Sequence, residues 1–423
     1  MYKIIDVHIK GFWNKLEIYT RFNDDVNIII GRNGTGKTTF MNLLYSALSV
    51  DVDGLIDNEF TLISIKLSYR NDVKLIHIEK LIDEADDMGY SILYTIDREI
   101  YHFKAMSLHK SKSYGSSGSI KRRMFEQTNE LREILGKYIA LSSLSVYRLR
   151  SNEEIEIHYR SSNKIISPVD YRLSQLENEF IQYQFELSKK AREISFELQK
   201  DVLSSILYSE KKMPNRYNIP RTFNKKQEKY KLLSAYERLG IIDSNIKQKI
   251  DTHINSVDKA VKVFNNIDSQ ITADFSALDA YFRTQTIIDM SLKADSIVNQ
   301  VFSPIDLFLD IIRDFIVDKK FVVETGQLKV FNKYNEEIEI SKLSSGEKQL
   351  LILFIETLLQ KAKPYVYLTD EPELSLHIDW QRRIIPAVKK LNPSAQIIVA
   401  THSPEVASKY RQYIVNMEDM CFE

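Results

Sequence analysis

The chain has 423 residues, and its 58 Lys plus Arg balance 58 Asp plus Glu, so no bulk charge argues for nucleic acid or an anionic membrane as partner. The single cysteine, Cys421, excludes an internal disulfide framework and suits a reducing compartment. The length exceeds what one hydrophobic core usually supports, which predicts two structural units. Residues Met1 to Asp6 lack the apolar core of a signal peptide, and the longest apolar stretch, Leu350 to Leu359, is broken by Glu356 and too short for a bilayer. A soluble, cytoplasmic protein is expected.

The first thirty residues alternate in strand fashion around Ile5-Val7-Ile9 and Leu16-Ile18-Tyr19, then reach the apolar run Val26 to Ile30. That run opens directly into Gly31-Arg32-Asn33-Gly34-Thr35-Gly36-Lys37-Thr38, a full match to the phosphate-binding loop G-x-x-x-x-G-K-[ST]. Phe40, Leu43, Leu44 and Ala47 then follow at helical spacing, so the loop has a strand before it and a helix after it. Glycines let backbone N–H groups turn inward around phosphate oxygens, and the helix N-terminus adds its positive dipole end. Asn33, Gly34, Gly36 and Thr39 would belong to this phosphate-binding cradle, Lys37 would reach the β- and γ-phosphates, and the Thr38 hydroxyl would ligate Mg²⁺. A turn that merely begins a helix would explain the glycines, but not Gly-Lys-Thr at that offset.

Strand-like pieces follow at Leu62 to Leu67, Lys74 to Leu81, Tyr90 to Ile96 and Ile100 to Phe103, predicting an antiparallel sheet beside the nucleotide core. Ser107 to Arg123 is polar and carries Lys110, Lys112, Lys121, Arg122 and Arg123; it reads as a solvated mobile loop, and as the best local basic patch for nucleic acid. From about Asp170 to Asp318 the pattern turns helical. Leu173, Leu176, Phe180, Tyr183, Leu187, Ala191, Ile194 and Leu198 step by three and four, as a bundle core or a coiled-coil seam would. A helix of roughly 40 residues would span about 60 Å and could form a protruding arm. Further helices are expected at Lys226 to Leu239, Ser244 to Asn265 and Thr284 to Val317, punctuated by Pro214, Pro220 and Pro304. Sheet-like sequence resumes at Phe321 to Val323 and Leu328 to Phe331, so the helical region is an insertion.

Three motifs close the chain. Ser344-Ser345-Gly346-Glu347 precedes an apolar helix and could bind an anion at its exposed N–H groups, or be only a helix cap with Glu347 in the first turn. Tyr365 to Thr369 is a buried-type strand ending in Asp370-Glu371, placed to hold Mg²⁺ through Asp370 and to polarise a water through Glu371. A strand that ends in a charged turn is common, so the pair alone decides little. Gln396 to Ala400 is another such strand, ending in Thr401-His402-Ser403-Pro404, where His402 could stabilise transition-state charge. A lone histidine is more often structural.

Together, and in this order, these motifs resemble the ATP-binding-cassette (ABC) ATPases of the SMC/Rad50-like branch. Within it, Asp370-Glu371-Pro372-Glu373-Leu374-Ser375-Leu376-His377 and Thr401-His402-Ser403-Pro404 are similar to OLD-family and related prokaryotic defence ATPases. The resemblance covers roughly residues 1–50 and 335–410. It departs at Ile378, where proline is frequent, and no glutamine marks the Q-loop, whose expected place is a strand from Tyr138 to Tyr147 ending at Arg148. The resemblance implies an α/β ABC-type head, with a P-loop mixed sheet and an antiparallel sheet, carrying a large α-helical insertion. Its lobes would be 1–165 and 321–423, and the insertion 166–320.

It further implies a composite ATP site. Lys37, Thr38, Asp370, Glu371 and His402 of one subunit would face Ser344, Ser345 and Gly346 of another, with Pro372 to His377 crossing the seam. ATP would then hold a homodimer or higher oligomer together. OLD nucleases carry a Toprim domain after the ATPase, and about twenty residues follow Pro404 here, so a separate nuclease or Toprim-like effector is expected. That layout is similar to the AriA-type ATPases of PARIS and, second, the PtuA-type ATPases of Septu, antiphage systems in which the ATPase is a regulatory subunit. The competing expectation is a DNA-clamping repair ATPase, opposed by the neutral charge and the lack of a Cys-x-x-Cys hook. A transporter ATPase is disfavoured because the insertion splits the cassette.

Overall fold

The computed structural model describes residues 1–83, 89–106, 118–143, 155–159, 162–206, 223–238, 243–265, 275–374 and 376–422. Two compact units emerge, one from Met1–Ile181 with Ile305–Glu423, the other from Gln182–Pro304.

The first unit is built on two large sheets. Strands β1 (Lys3–Phe12), β2 (Leu16–Arg21), β4 (Leu62–Tyr69), β5 (Asp72–Asp83), β6 (Gly89–Ile96), β7 (Glu99–Met106) and β17 (Cys421–Phe422) form an antiparallel sheet in the order β17-β2-β1-β4-β5-β6-β7. Its strands alternate as a one-sided sheet requires: Ile63, Ile65 and Leu67 are buried, while Leu75 and Leu81 of β5 are exposed. The second sheet is parallel. It takes β3 (Val26–Ile30), β8 (Leu141–Ser143), β14 (Val366–Asp370), β15 (Gln396–Ala400) and β16 (Ile414–Asn416) in the order β16-β3-β15-β14-β8. Its central strands are continuous apolar runs, because both their faces are covered. Between the sheets lies helix α1 (Lys37–Ser49), which buries Phe40, Leu43, Leu44 and Ala47 in one cluster with Ile9, Ile65, Ile78, Leu368 and Ile398. Each of Phe40, Leu43 and Leu44 stabilises the unit by roughly 2 kcal/mol through burial alone.

A buried amide joins the sheets. Gln396, fully buried at the start of β15, donates to the carbonyls of Ile4 (2.7 Å) and Asn23 (2.8 Å) and accepts from the Ile4 N–H at 2.8 Å. Smaller elements include helix α2 (Val52–Ile56), the hairpin β9–β10 (Ile155–Tyr159, Ser162–Ile166) and the three-stranded β11–β12–β13 (Lys320–Glu324, Gln327–Phe331, Glu337–Ile338).

Helix α3 runs Gly118–Tyr138, so residues 118–123 of the expected loop are helical, and Ser107 to Ser117 lie outside the described residues. The strand expected from Tyr138 is shorter: Tyr138 closes α3, the strand is Leu141–Ser143, and Leu144 to Arg148 lie outside the described residues. Helix α4 (Pro168–Ile206) matches the long predicted helix, and Leu173, Leu176, Phe180, Tyr183 and Leu187 are buried along it. From Ala191 onward the same stripe is only half-buried.

The second unit contains α5 (Lys225–Arg238), α6 (Ser244–Asn265) and the portions of α4 and α7 (Phe275–Phe315) between residues 182 and 304. Leu232, Ala235, Ile250, Ile254 and Ile288 form one apolar cluster there, and Val257, Ala260, Val261, Ala277 and Leu278 a second. Its buried acid Asp258 is bridged by Lys225 (2.9 Å) and Lys262 (2.8 Å). This unit is narrower than the 166–320 span expected for the insertion, because both long helices start or finish among residues of the first unit.

Pro304 does not interrupt α7 as expected. Proline supplies no N–H to the carbonyl four residues back, here that of Gln300, and the Ser303 hydroxyl donates to that oxygen instead, at 2.9 Å. The helix therefore continues. Among the described residues no helix is long and apolar enough to cross a membrane.

Candidate nucleotide site

Three neighbouring parallel strands, β3, β15 and β14, end at Ile30, Ala400 and Asp370 on one edge of the sheet. Ligands of open α/β sheets gather at such carboxyl ends. The phosphate loop leaves β3 and turns into α1 through two glycines in the left-handed region. Gly34 has φ +82° with open space around it. Gly36 has φ +95°, and a Cβ there would sit 2.9 Å from the Phe12 ring and 3.1 Å from Trp13. Both positions favour glycine for backbone reasons, and Gly36 for packing as well.

The loop delivers Asn33, Thr38 and Thr39 to exposed or half-exposed places, while Lys37 is buried. The first N–H groups of α1 have no partner within the helix and are open to an anion. Lys37 Nζ donates to the carbonyls of Gly31 (2.9 Å) and Arg32 (3.1 Å). Burial lowers the pKa of its ammonium, against the pull of Asp370, Glu371 and Glu373. Asp370 shows the converse. Burial pushes its carboxyl above the usual carboxylate range, and the Thr38 hydroxyl and Lys37 draw it back. Its Oδ1 is buried with no hydrogen-bond partner. An unsatisfied carboxylate oxygen beside Thr38 fits a hard cation such as Mg²⁺, which binds through one or two carboxylates plus phosphate oxygens. No group of three or more His, Cys, Asp or Glu able to hold a metal by itself occurs among the described residues.

Glu371 follows with φ +47°, an uncommon conformation for a residue with a side chain, and its N–H extends the ladder to the Ala400 carbonyl at 2.8 Å. Backbone strain of this kind gathers at active sites. Its carboxylate lies 3.7 Å from His402 Nε2, and both side chains are about one-third exposed. The structure thus brings together Lys37, Thr38, Asp370, Glu371 and His402.

Ser344, Ser345 and Gly346 stand apart from that group. Ser344 caps helix α8 (Ser345–Leu359) in a reciprocal box: its hydroxyl accepts from the Glu347 N–H, and Glu347 accepts from the Ser344 N–H at 2.9 Å. Lys319 holds the other Glu347 oxygen at 2.7 Å. No hydrogen bond or ion pair among the described residues joins Ser344–Gly346 to the phosphate loop. Within one chain the cap accounts for this motif. Ser375, in the segment expected to cross a dimer seam, lies outside the described residues.

From the sequence, Glu373 had only a place in the segment expected to cross a dimer seam, and Trp13 had no role. Glu373, almost fully buried, accepts from Thr401 Oγ1 (2.6 Å), the His402 N–H (3.0 Å) and the Ser403 N–H (3.2 Å). The motif named it, but its buried bonds to the Thr401–Ser403 turn face into this chain and not across a seam. Trp13, 39% exposed, flanks Gly36 and packs on Phe12 with ring centroids 4.8 Å apart. No local pattern marks it.

A parallel P-loop sheet, an antiparallel sheet packed across α1, and a helical insertion define an α/β ATPase head of the ABC type. A family model described as an AAA ATPase domain matches residues 2–407, and the chain belongs to that family, AAA_15. It is similar to the Retron Vc95 probable ATPase of Vibrio cholerae serotype O1 biovar El Tor, with 21% identity over 403 residues, 92% of this chain and 68% of that protein. It also resembles the DNA double-strand break repair Rad50 ATPase of Pyrococcus abyssi, 29% identical over 106 residues, 24% of this chain and 11% of that protein. Among solved structures, an Smc head domain from Pyrococcus furiosus, bound to the C-terminal domain of ScpA, aligns with TM-score 0.43 and 14% identity over 96% of this chain and 92% of that one. At that score the likeness is loose, and the fold class rests on the sheet topology. The 403-residue match is to a retron ATPase, and these relatives do not support the AriA type of PARIS expected from the sequence.

Proposed function

We propose that this chain is an ATP-hydrolysing switch that assembles on ATP and regulates a separate effector in a prokaryotic defence system. The convergence of Lys37, Thr38, Asp370, Glu371 and His402 at three adjacent strand ends carries the reading of the site. The defence role is supported by the likeness to a retron ATPase, and the separate effector by analogy with two-component systems.

In this reading the α1 N-terminus and Lys37 hold the phosphates, and Lys37 exchanges its Gly31 and Arg32 carbonyls for phosphate oxygens. Trp13 offers a flat apolar wall for the base. Thr38 and Asp370 hold Mg²⁺, which would neutralise charge developing on the transferred phosphoryl group. Glu371 orients and polarises the attacking water, and His402 stabilises charge on the side of the γ-phosphate. Ser344, Ser345 and Gly346 of a second copy close the site, so nucleotide state and assembly are linked by the contacts that the γ-phosphate adds.

Glu371→Gln tests the reading. The variant should bind ATP, turn it over at least about 100-fold more slowly and elute as a stable dimer or larger species in ATP. Turnover at the wild-type rate would remove Glu371 from its role. A second reading, a DNA-clamping ATPase, draws on the Rad50 match. It predicts DNA-stimulated turnover that falls steeply with salt. A turnover rate indifferent to DNA favours the regulator.

A further inference from the structure

We propose that Glu373 is a positioning residue for hydrolysis, one that fixes the turn carrying His402 without touching the nucleotide. The inference rests on the reading of His402 as part of the hydrolytic site. One carboxylate oxygen, Oε1, receives three donors from consecutive residues: the Thr401 hydroxyl and the backbone N–H groups of His402 and Ser403. A side chain that gathers successive backbone donors leaves the turn little freedom, and hydrogen bonds to a charged acceptor are about twice as strong as neutral ones. The turn is braced from a second side. Gln381 donates to the Leu376 carbonyl (3.0 Å) and accepts from the Ser403 hydroxyl (2.7 Å), so it ties the segment after β14 to the same turn.

The remaining oxygen, Glu373 Oε2, is buried with no partner among the described residues. A carboxylate in that position costs desolvation that a neutral amide would largely avoid. An acceptor serving only the fold would be met as well by glutamine. The charge matters for strength on Oε1, and its field also reaches Lys37. The consequence concerns geometry: His402 sits 3.7 Å from Glu371 because the turn is pinned. With the pin removed, His402 should wander while the phosphate loop keeps its grip.

The test is a double-mutant cycle with the full chain, reading the kcat of ATP hydrolysis and the affinity for a fluorescent ATP analogue. Glu373→Ala should lower kcat about 10- to 100-fold and leave nucleotide affinity within about threefold. His402→Ala should lower kcat to a similar degree. The Glu373→Ala/His402→Ala double variant should be no slower than His402→Ala alone, because both substitutions remove one function. Glu373→Gln, which keeps an acceptor oxygen but loses the charge that strengthens its three bonds, should have a kcat between those of Glu373→Ala and wild type. If Glu373→Ala does not fold, Glu373→Asp takes its place in the cycle, since it keeps the charge and withdraws the acceptor from the turn.

A double variant slowed by the product of the two single losses would overturn the proposal, because Glu373 would then act independently of His402. So would wild-type turnover in Glu373→Ala. Wild-type turnover in His402→Ala is a different result: it removes His402 from the hydrolytic reading, and the proposal falls with it.

Discussion

The helical unit and the strand ends of the other unit differ in how their buried polar groups are met. In the helical unit, Asp258 is held by two lysines, and Glu228 by Lys231 and Gln285; among its described residues only Gln184 Nε2 is buried without a partner. Around the strand ends of the other unit, Asp370 Oδ1, Thr369 Oγ1 and Glu373 Oε2 are all unpartnered, and Glu371 sits at positive φ. Buried polar atoms are normally satisfied, so a cluster of exceptions needs a cause. The helical unit leaves little unmet within its own fold, whereas the strand ends where a nucleotide is proposed to bind leave several buried polar atoms unmet.

The contrast can be broken most forcefully at Lys37. Lys37→Ala should abolish measurable ATP binding in calorimetry; retained tight binding would mean that the strained edge is not a nucleotide site. Next in size is Gly36→Ala, which forces an L residue to φ +95° and drives a methyl group toward Phe12. It should weaken nucleotide affinity about 100-fold while the thermal midpoint falls only modestly.

Asp370→Asn sharpens the comparison, because activity and stability should move in opposite directions. The folded state favours the protonated carboxyl, so its raised pKa makes stability fall as pH rises from the ordinary carboxylate range through the raised value. The amide removes that term. Asp370→Asn should lose Mg²⁺-dependent turnover about 100-fold and yet melt about 2 °C higher at neutral pH without nucleotide. A lower melting temperature would show that Asp370 is satisfied after all. The smallest effect belongs to the helical unit: Asp258→Ala should cost about 1 kcal/mol in denaturant unfolding, since its lysine partners are largely exposed, and should leave basal turnover unchanged.

What could be read before folding was what is local. Gly31 to Thr38 declares itself because a phosphate cradle is made by consecutive backbone atoms. Asp370 and His402 could be placed because an apolar run ending in a polar residue describes the end of a buried strand. Ser344 could be read in two ways, and the cap needed only Glu347 three residues on. The bonds of Glu373 and Gln396 were silent, since their partners lie 28 and 392 residues away and no periodicity reports such distances. Pro304 misled for a related reason: the serine that serves the freed carbonyl stands beside it, and propensity alone assigns it no such task.

The order β16-β3-β15 has a consequence for synthesis. The strand that launches the phosphate loop is made among the first thirty residues, and both its neighbours come from the last thirty. While the chain emerges from the ribosome, β3 therefore waits as an apolar segment with two bare edges, a hazard for association with other nascent chains. Contacts this distant in sequence also slow folding. The proposed ATP site cannot close until β15 and β16 follow β3 from the ribosome, and a chain cut before them would carry the loop without the strands that flank it.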